Sequence, residues 1–163
     1  MKQIKIVNHL LYVQVDDEDY HFLNKFDWWL DRGERTCYAY TRMDDIFIYM
    51  HKFLMPVSGE NTVDHKDGNG LNNCKENLRA ATSSQQMMNR RKREDTSSVY
   101  KGVYWSKCRN YWVAQIKVGE RRIHLGCFKS EISAAKAYNR AAKEHFGEFA
   151  KLNVLPIIVD KVS

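Results

Sequence analysis

The eleven residues Val63-Asp64-His65-Lys66-Asp67-Gly68-Asn69-Gly70-Leu71-Asn72-Asn73 constrain the fold of this chain more than any other stretch. Gly and Asn favour turns and left-handed backbone, so a run holding Gly68, Gly70, Asn69, Asn72 and Asn73 continues neither a helix nor a strand. Thr62–His65 and Leu78–Ala81 on either side read as strands, which makes the run a long loop between them. Thr82, with Gln85 three residues later, carries the signature of a capping box, and the pattern predicts a helix from Thr82 or Ser83 to about Lys92. The order is strand, loop, strand, helix.

Asp64 and His65 put a carboxylate beside an imidazole at the mouth of this loop. These are the two groups that metal-assisted phosphodiester cleavage needs first, a cation ligand and a proton acceptor. On the predicted helix Gln86, Asn89, Arg90 and Arg93 recur at spacings of three and four, so they share one side. Amide oxygens facing a loop carboxylate, with arginines behind them, suit one metal on a phosphate track. A lone His among apolar residues is more often structural than catalytic, and His51 is read that way.

Charge adds direction. Of 26 Lys/Arg and 20 Asp/Glu, residues 1–92 hold 13 of each, and residues 93–163 hold 13 against 7, so the net +6 lies in the C-terminal part. Residues 1–50 are net −3 and residues 51–92 net +3. The positive field begins near the Asp-His loop and runs onward, as in a chain that binds a polyanion. Cys37, Cys74, Cys108 and Cys127 stand singly, without the paired spacing of a structural zinc or a secreted disulfide scaffold. No apolar stretch is long enough to span a bilayer, and the N-terminus lacks the apolar core of a signal peptide. A soluble, cytoplasmic protein without membrane contact is expected.

Upstream, Ile4–Val7 and Leu11–Val15 are short apolar runs. The acidic residues 16–19 suit the first turn of a helix on which Phe22, Leu23, Phe26 and Trp29 recur at helical spacing, with Trp28 and Trp29 as core. Tyr38–Arg42 and Ile46–Met50 read as strands of a hairpin about Met43-Asp44-Asp45. Downstream, residues 94–98 read as a linker. Val99–Trp105, Tyr111–Val118 and Arg121–Phe128 follow as strands, and Ser130–Phe146 as an amphipathic helix covering one sheet face. Period-two alternation sends Val113, Gln115, Lys117, Arg122, His124 and Gly126 to the open face, with Lys101, Tyr104 and Trp105 from the first strand, and turns Ile123, Leu125 and Cys127 inward. The tail 154–163 is apolar enough for a strand or a contact segment.

Two resemblances attach to these residues. Met50-His51-Lys52, Val63 to Asn69, Asn77-Leu78-Arg79 and Asn89-Arg90 together resemble the His-Asn-His (HNH) endonucleases of the phage and intron homing type. Tyr100-Lys101-Gly102-Val103, Trp112 to Ile116, Ile123 to Phe128, Ala134 to Tyr138 and Leu152-Asn153 resemble the DNA-binding domain of plant ethylene-response (Apetala-type) factors. Their order is similar to that of mobile, phage-borne HNH proteins. The resemblance implies an α+β chain with an HNH (ββα-metal) nuclease domain over residues 1–93, the linker, and over 99–153 a three-stranded antiparallel sheet packed on one helix.

The first resemblance implies Asp64 as ligand to Mg²⁺ or Mn²⁺, His65 as general base for the attacking water, and Asn77 as the amide that holds the loop so that the His is aimed. The last motif position, usually His or Asn, holds Gln86, with Asn89 one turn on as the other candidate ligand. Cleavage would leave 5′-phosphate and 3′-hydroxyl ends. The second resemblance implies a sheet laid in the major groove of double-stranded DNA, contacting through Lys101, Tyr104, Gln115, Lys117, Arg122 and His124, with Arg90 on the phosphate track. No obligate protein partner is evident, and the cell would be bacterial or phage-infected. The rival readings are a non-catalytic DNA-binding regulator with a decayed nuclease unit, and a protein directed at RNA.

Overall fold

The computed structural model describes residues 1–33, 36–92 and 96–156. The described residues form small antiparallel sheets and four α-helices, a mixed α/β chain that divides into two compact units, Met1–Gln86 and Met87–Ser163. The division falls inside the third helix.

In the first unit β1 (Lys2–Lys5) and β2 (Tyr12–Val15) pair as a hairpin. Helix α1 (Asp17–Leu23) begins with Asp17, Glu18 and Asp19, where unpaired backbone N–H groups favour negative charge. Expected helical spacing through Trp29 is not realised. The helix stops at Leu23, whose carbonyl accepts a 2.8 Å bond from Trp28 Nε1, and Trp29 opens β3 (Trp29–Arg32). Trp28 is buried with Ile4, Ile6, Val13, Val15, Leu23, Ala39 and Met50, whereas Trp29 is exposed. Fully burying an apolar side chain of this size contributes about 2–3 kcal/mol, so Trp28 anchors this core.

Strand β3 pairs with β4 (Cys37–Met43), and β4 with β5 (Ile46–Tyr49). Asp44 and Asp45 both have positive φ, the requirement of a two-residue hairpin turn, and they connect Met43 directly to its partner Ile46. Helix α2 (Met50–Leu54) leads on to β6 (Thr62–His65), the Gly/Asn loop with a 3-10 turn at Lys75–Asn77, and β7 (Leu78–Ala81), which pairs antiparallel with β6. Helix α3 (Ser83–Asn89) is shorter than expected and ends before Arg90. Its capping box is present: Thr82 N–H donates to Gln85 Oε1 at 2.8 Å, and Gln85 N–H to Thr82 Oγ1 at 3.3 Å. Arg93 lies outside the described residues.

The second unit is a sheet of β8 (Val103–Ser106), β9 (Tyr111–Val118) and β10 (Arg121–Phe128), in the order β10-β9-β8, covered by α4 (Glu131–Phe146). Ala114 and Ile116 of β9 meet Ala134, Ala135, Tyr138 and Ala142 of α4. Small side chains on the helix let it lie close to the sheet. Of the expected linker, Glu94 and Asp95 lie outside the described residues; Ser98 is buried and its Oγ donates to Glu131 Oε1 at 2.6 Å. Leu155 of the tail packs against the Val103 cluster, and residues 157–163 lie outside the described ones.

Candidate functional site

Strand β6 carries Asp64 and His65, and alternation turns them to opposite faces. His65 is 5% exposed. Its ring lies 5.2 Å from that of His51 and 5.9 Å from that of Tyr38, a residue of β4 that sequence pattern alone could not bring here. Tyr38 is pressed onto the loop as well: a Cβ on Gly70 would meet the Tyr38 ring at 2.6 Å and the Cys37 carbonyl at 2.3 Å. Only a glycine lets the loop approach β4 so closely.

The His65 ring is oriented by Asn73. Asn73 is fully buried, and its Nδ2 donates to the Gly70 carbonyl at 3.3 Å, which turns Oδ1 toward His65 Nε2 at 3.4 Å. The tautomer that donates to this amide oxygen carries its proton on Nε2 and its lone pair on Nδ1. Burial holds His65 below the ordinary imidazole pKa, and the Asn73 hydrogen bond opposes this. Burial thereby favours the neutral form of the ring.

Asn77 bonds within the loop. Its Oδ1 accepts from Asp67 N–H at 3.1 Å, and its Nδ2 donates to Asp67 Oδ1 at 3.0 Å and to the Asn72 carbonyl at 2.8 Å. Asp67 also accepts from Asn69 N–H and Asn72 Nδ2. Asn77 thus ties the loop, as expected, while the amide that meets the His65 ring is that of Asn73. Nothing in residue type distinguishes Asn73 from its neighbour Asn72, so only the fold could assign it.

Asp64 is engaged by Arg79, its partner across the β6–β7 register, whose Nε and Nη2 donate to Oδ2 at 2.9 and 2.8 Å. Gln86 reaches back to the same strand and donates Nε2 to the Val63 carbonyl at 3.1 Å, so its Oε1 is the end turned away from that bond. Asn89 is buried and belongs to the second unit. A carboxylate and a neutral amide oxygen, without thiolates, are donors that suit a hard cation retaining several waters. The residues fit such an ion in kind. Among the described residues no three His, Cys, Asp or Glu side chains are grouped to hold a metal.

His51 is buried on α2, its ring 5.2 Å from Tyr38 and 5.6 Å from Tyr49. Among the described residues its Nδ1 has no hydrogen-bond partner, and burial, with His65 and Lys52 beside it, lowers its pKa to about 3.

In the second unit the sheet face opposite α4 carries Lys117 beside Arg122, Gln115 beside His124, and Tyr104, Val113 and Cys127 in one row. Tyr104, Lys117, Arg122 and His124 are exposed. A recess of about 460 Å³ is lined by Tyr104, Ser106, Cys108, Arg109, Val113 and His124. Three expectations need correction. The pairing slips between His124 and Gly126, a bulge that adds one residue, so beyond it the alternation reverses: Gly126 turns toward α4 and Cys127 outward. Gly126 has φ +127°, which marks the bulge, and a glycine inside a strand was the available signal. Trp105 faces inward, its ring 5.1 Å from Trp112. Lys101 precedes β8 and points its ammonium at the Met88 and Arg90 carbonyls, at 2.6 and 2.7 Å, where burial lowers its pKa to about 8. Arg90 itself is exposed.

Among the described residues no helix is long and apolar enough to cross a membrane. No family model and no solved structure matches the chain. Dehydration-responsive element-binding protein 2C of Arabidopsis thaliana is 44% identical over 69 residues, 39% of this chain and 19% of that protein. Protein 3.8 of Escherichia phage T7 is 29% identical over 96 residues, 59% of this chain and 78% of that protein. An uncharacterised HNH endonuclease of Acanthamoeba polyphaga mimivirus is 35% identical over 133 residues, 80% of this chain and 68% of the viral protein. With that breadth of similarity, and with an Asp-His strand, an Asn-tied loop and a capped helix in sequence, the chain belongs to the HNH endonuclease family.

Proposed function

We propose that this protein is a divalent-metal-dependent endonuclease that hydrolyses phosphodiester bonds of double-stranded DNA, with the outer face of β8–β10 binding the duplex. One observation carries the reading: a buried imidazole whose Nε2 lies 3.4 Å from Asn73 Oδ1 stands next in sequence to the Asp64 carboxylate.

His65 Nδ1 takes the proton of the attacking water. Asn73 keeps the opposite nitrogen protonated and the ring fixed through that transfer, and Asn77 keeps the loop that carries Asn73 in register with β6. Asp64 and the Gln86 amide oxygen would hold the cation. Gln86 is preferred to Asn89 because it bonds to Val63, the neighbour of Asp64, within the same unit. When bound, the cation supplies positive charge that stabilises the phosphate and the leaving 3′-oxygen, and HNH nucleases generally use divalent metals of this kind. Tyr104, Gln115, Lys117, Arg122 and His124 are the proposed duplex contacts, Arg90 adds a phosphate contact, and Mg²⁺ or Mn²⁺ is the proposed ion.

The second reading is a duplex-binding regulator without cleavage. It is favoured by the Arg79 pairing, which takes Asp64 Oδ2, and by Gln86 standing where the family has His or Asn. Incubating supercoiled plasmid with protein and Mg²⁺ or Mn²⁺ separates the two. Metal-dependent relaxation supports the endonuclease; retarded but uncut plasmid supports the regulator.

A further inference from the structure

Antiparallel sheets with one face on the core ordinarily turn polar residues to the other. The sheet of β3, β4 and β5 does not. Leu30 and Ala39 face the core, while the register places Trp29, Tyr40 and Tyr49 in one outward row, flanked by Tyr38 with Asp31 and by Phe47 with Arg42. The rings run in continuous contact from the open edge to the site: Phe47 to Tyr40 at 5.4 Å, Tyr40 to Tyr49 at 6.2 Å, Tyr49 to Tyr38 at 6.2 Å and Tyr38 to His65 at 5.9 Å. At the far end Phe47 is 61% and Trp29 39% exposed.

Two cations border the track, Arg42 over the Phe47 ring and Lys52 over the Tyr49 ring. Two acids near them are engaged: Asp31 accepts from Tyr49 Oη at 2.8 Å, and Asp45 pairs with Arg42. Residues 1–50 are net −3, which suits neither a duplex backbone nor any other surface of dense negative charge. A row of rings, exposed at Phe47 and Trp29 and half-buried at Tyr40, Tyr49 and Tyr38, with a few local cations and an imidazole at its end, suits unpaired bases, which stack on aromatic rings with little help from bulk charge. Bases within a duplex already stack on one another. The occupant is therefore strand opened near the bond being cut.

We propose that the outer face of β3–β4–β5 is a stacking platform for unpaired bases of the DNA strand delivered to His65. This rests on the endonuclease reading for its purpose but not for its test. Fluorescence anisotropy of the full-length protein with a labelled short oligothymidine, and with an abasic strand of the same length, measures stacking apart from phosphate contact. Phe47→Ala and Trp29→Ala, both at exposed positions, should each weaken oligothymidine binding at least about fivefold, the low end for losing one stacked base. Phe47→Tyr should restore it, and abasic binding should not change. Ultraviolet cross-linking of a 5-iodouracil strand should give adducts on Trp29, Tyr40 or Phe47. Unchanged oligothymidine affinity in both variants overturns the proposal. So do equal losses on the abasic strand, adducts confined to residues 99–128, or a Phe47→Ala effect on self-association alone. If the wild type cuts no DNA but the stacking results hold, the platform stands and the endonuclease reading fails.

Discussion

Asn73 Oδ1 lies 3.4 Å from His65 Nε2, and the same amide is held from behind by the Gly70 carbonyl. In the proposed mechanism this bond sets which imidazole nitrogen acts as base. Asn73→Ala should lower the cleavage rate by about 10- to 100-fold, less than loss of His65 itself, because the ring remains but loses the partner that selects its tautomer. It should also destabilise the protein by about 1–3 kcal/mol by leaving buried polar groups unpaired. Single-turnover cleavage beside a denaturant melt checks both, and an unchanged rate in a folded Asn73→Ala protein contradicts the role given to Asn73.

His51 makes the fold sensitive to acid. Its pKa falls from 6.5 to about 3 on burial, so the unfolded chain binds a proton that the native chain refuses. That stability is fully present above pH 6.5 and is lost progressively as pH falls below it, by about 2 kcal/mol at pH 5. Tyr38, Tyr49 and His65 pack on the ring and Lys52 adjoins it, and among the described residues no carboxylate is a cause that offsets the cost. Urea melts at pH 7.5 and pH 5 should show this slope, and His51→Phe, which keeps the ring packing, should reduce it by that amount.

Gln86 and Asn89 are separated by metal dependence. Gln86→Ala should raise the Mg²⁺ concentration for half-maximal nicking at least about tenfold, and Asn89→Ala should leave it near the wild-type value. The reverse order would transfer the ligand to the buried end of α3.

Arg122 and Lys101 should behave differently although both were expected at the duplex. Arg122→Ala should weaken duplex binding and reduce the slope of log affinity against log salt by about 1. Lys101→Ala should leave that slope unchanged and lower the melting temperature, since its ammonium bonds the Met88 and Arg90 carbonyls. Binding isotherms at several salt concentrations distinguish them.

Much of this was legible in the sequence because its cues are local. The Thr82–Gln85 box, the Asp44-Asp45 turn and the Asp64-His65 pair each depend on residues within a few positions of one another, and each has a definite backbone requirement. The misreadings came where a local pattern met a long-range one. Trp29 keeps helical spacing with Phe26, yet pairing with Tyr40 draws it into β3. Cys127 keeps strand alternation until the bulge reverses it. Tyr38 reaches His65 only because Gly70 admits it, and neither residue announces the other along the chain.

The central claim is that His65 takes the proton of the attacking water. Its most direct test is metal-dependent nicking of supercoiled plasmid by the wild type and by His65→Ala, with a chelator control and equal folding verified by circular dichroism. Nicking by the wild type with Mg²⁺ or Mn²⁺, abolished by the chelator and reduced at least about 100-fold by His65→Ala, is the expected result. Nicking that survives His65→Ala undiminished would contradict it.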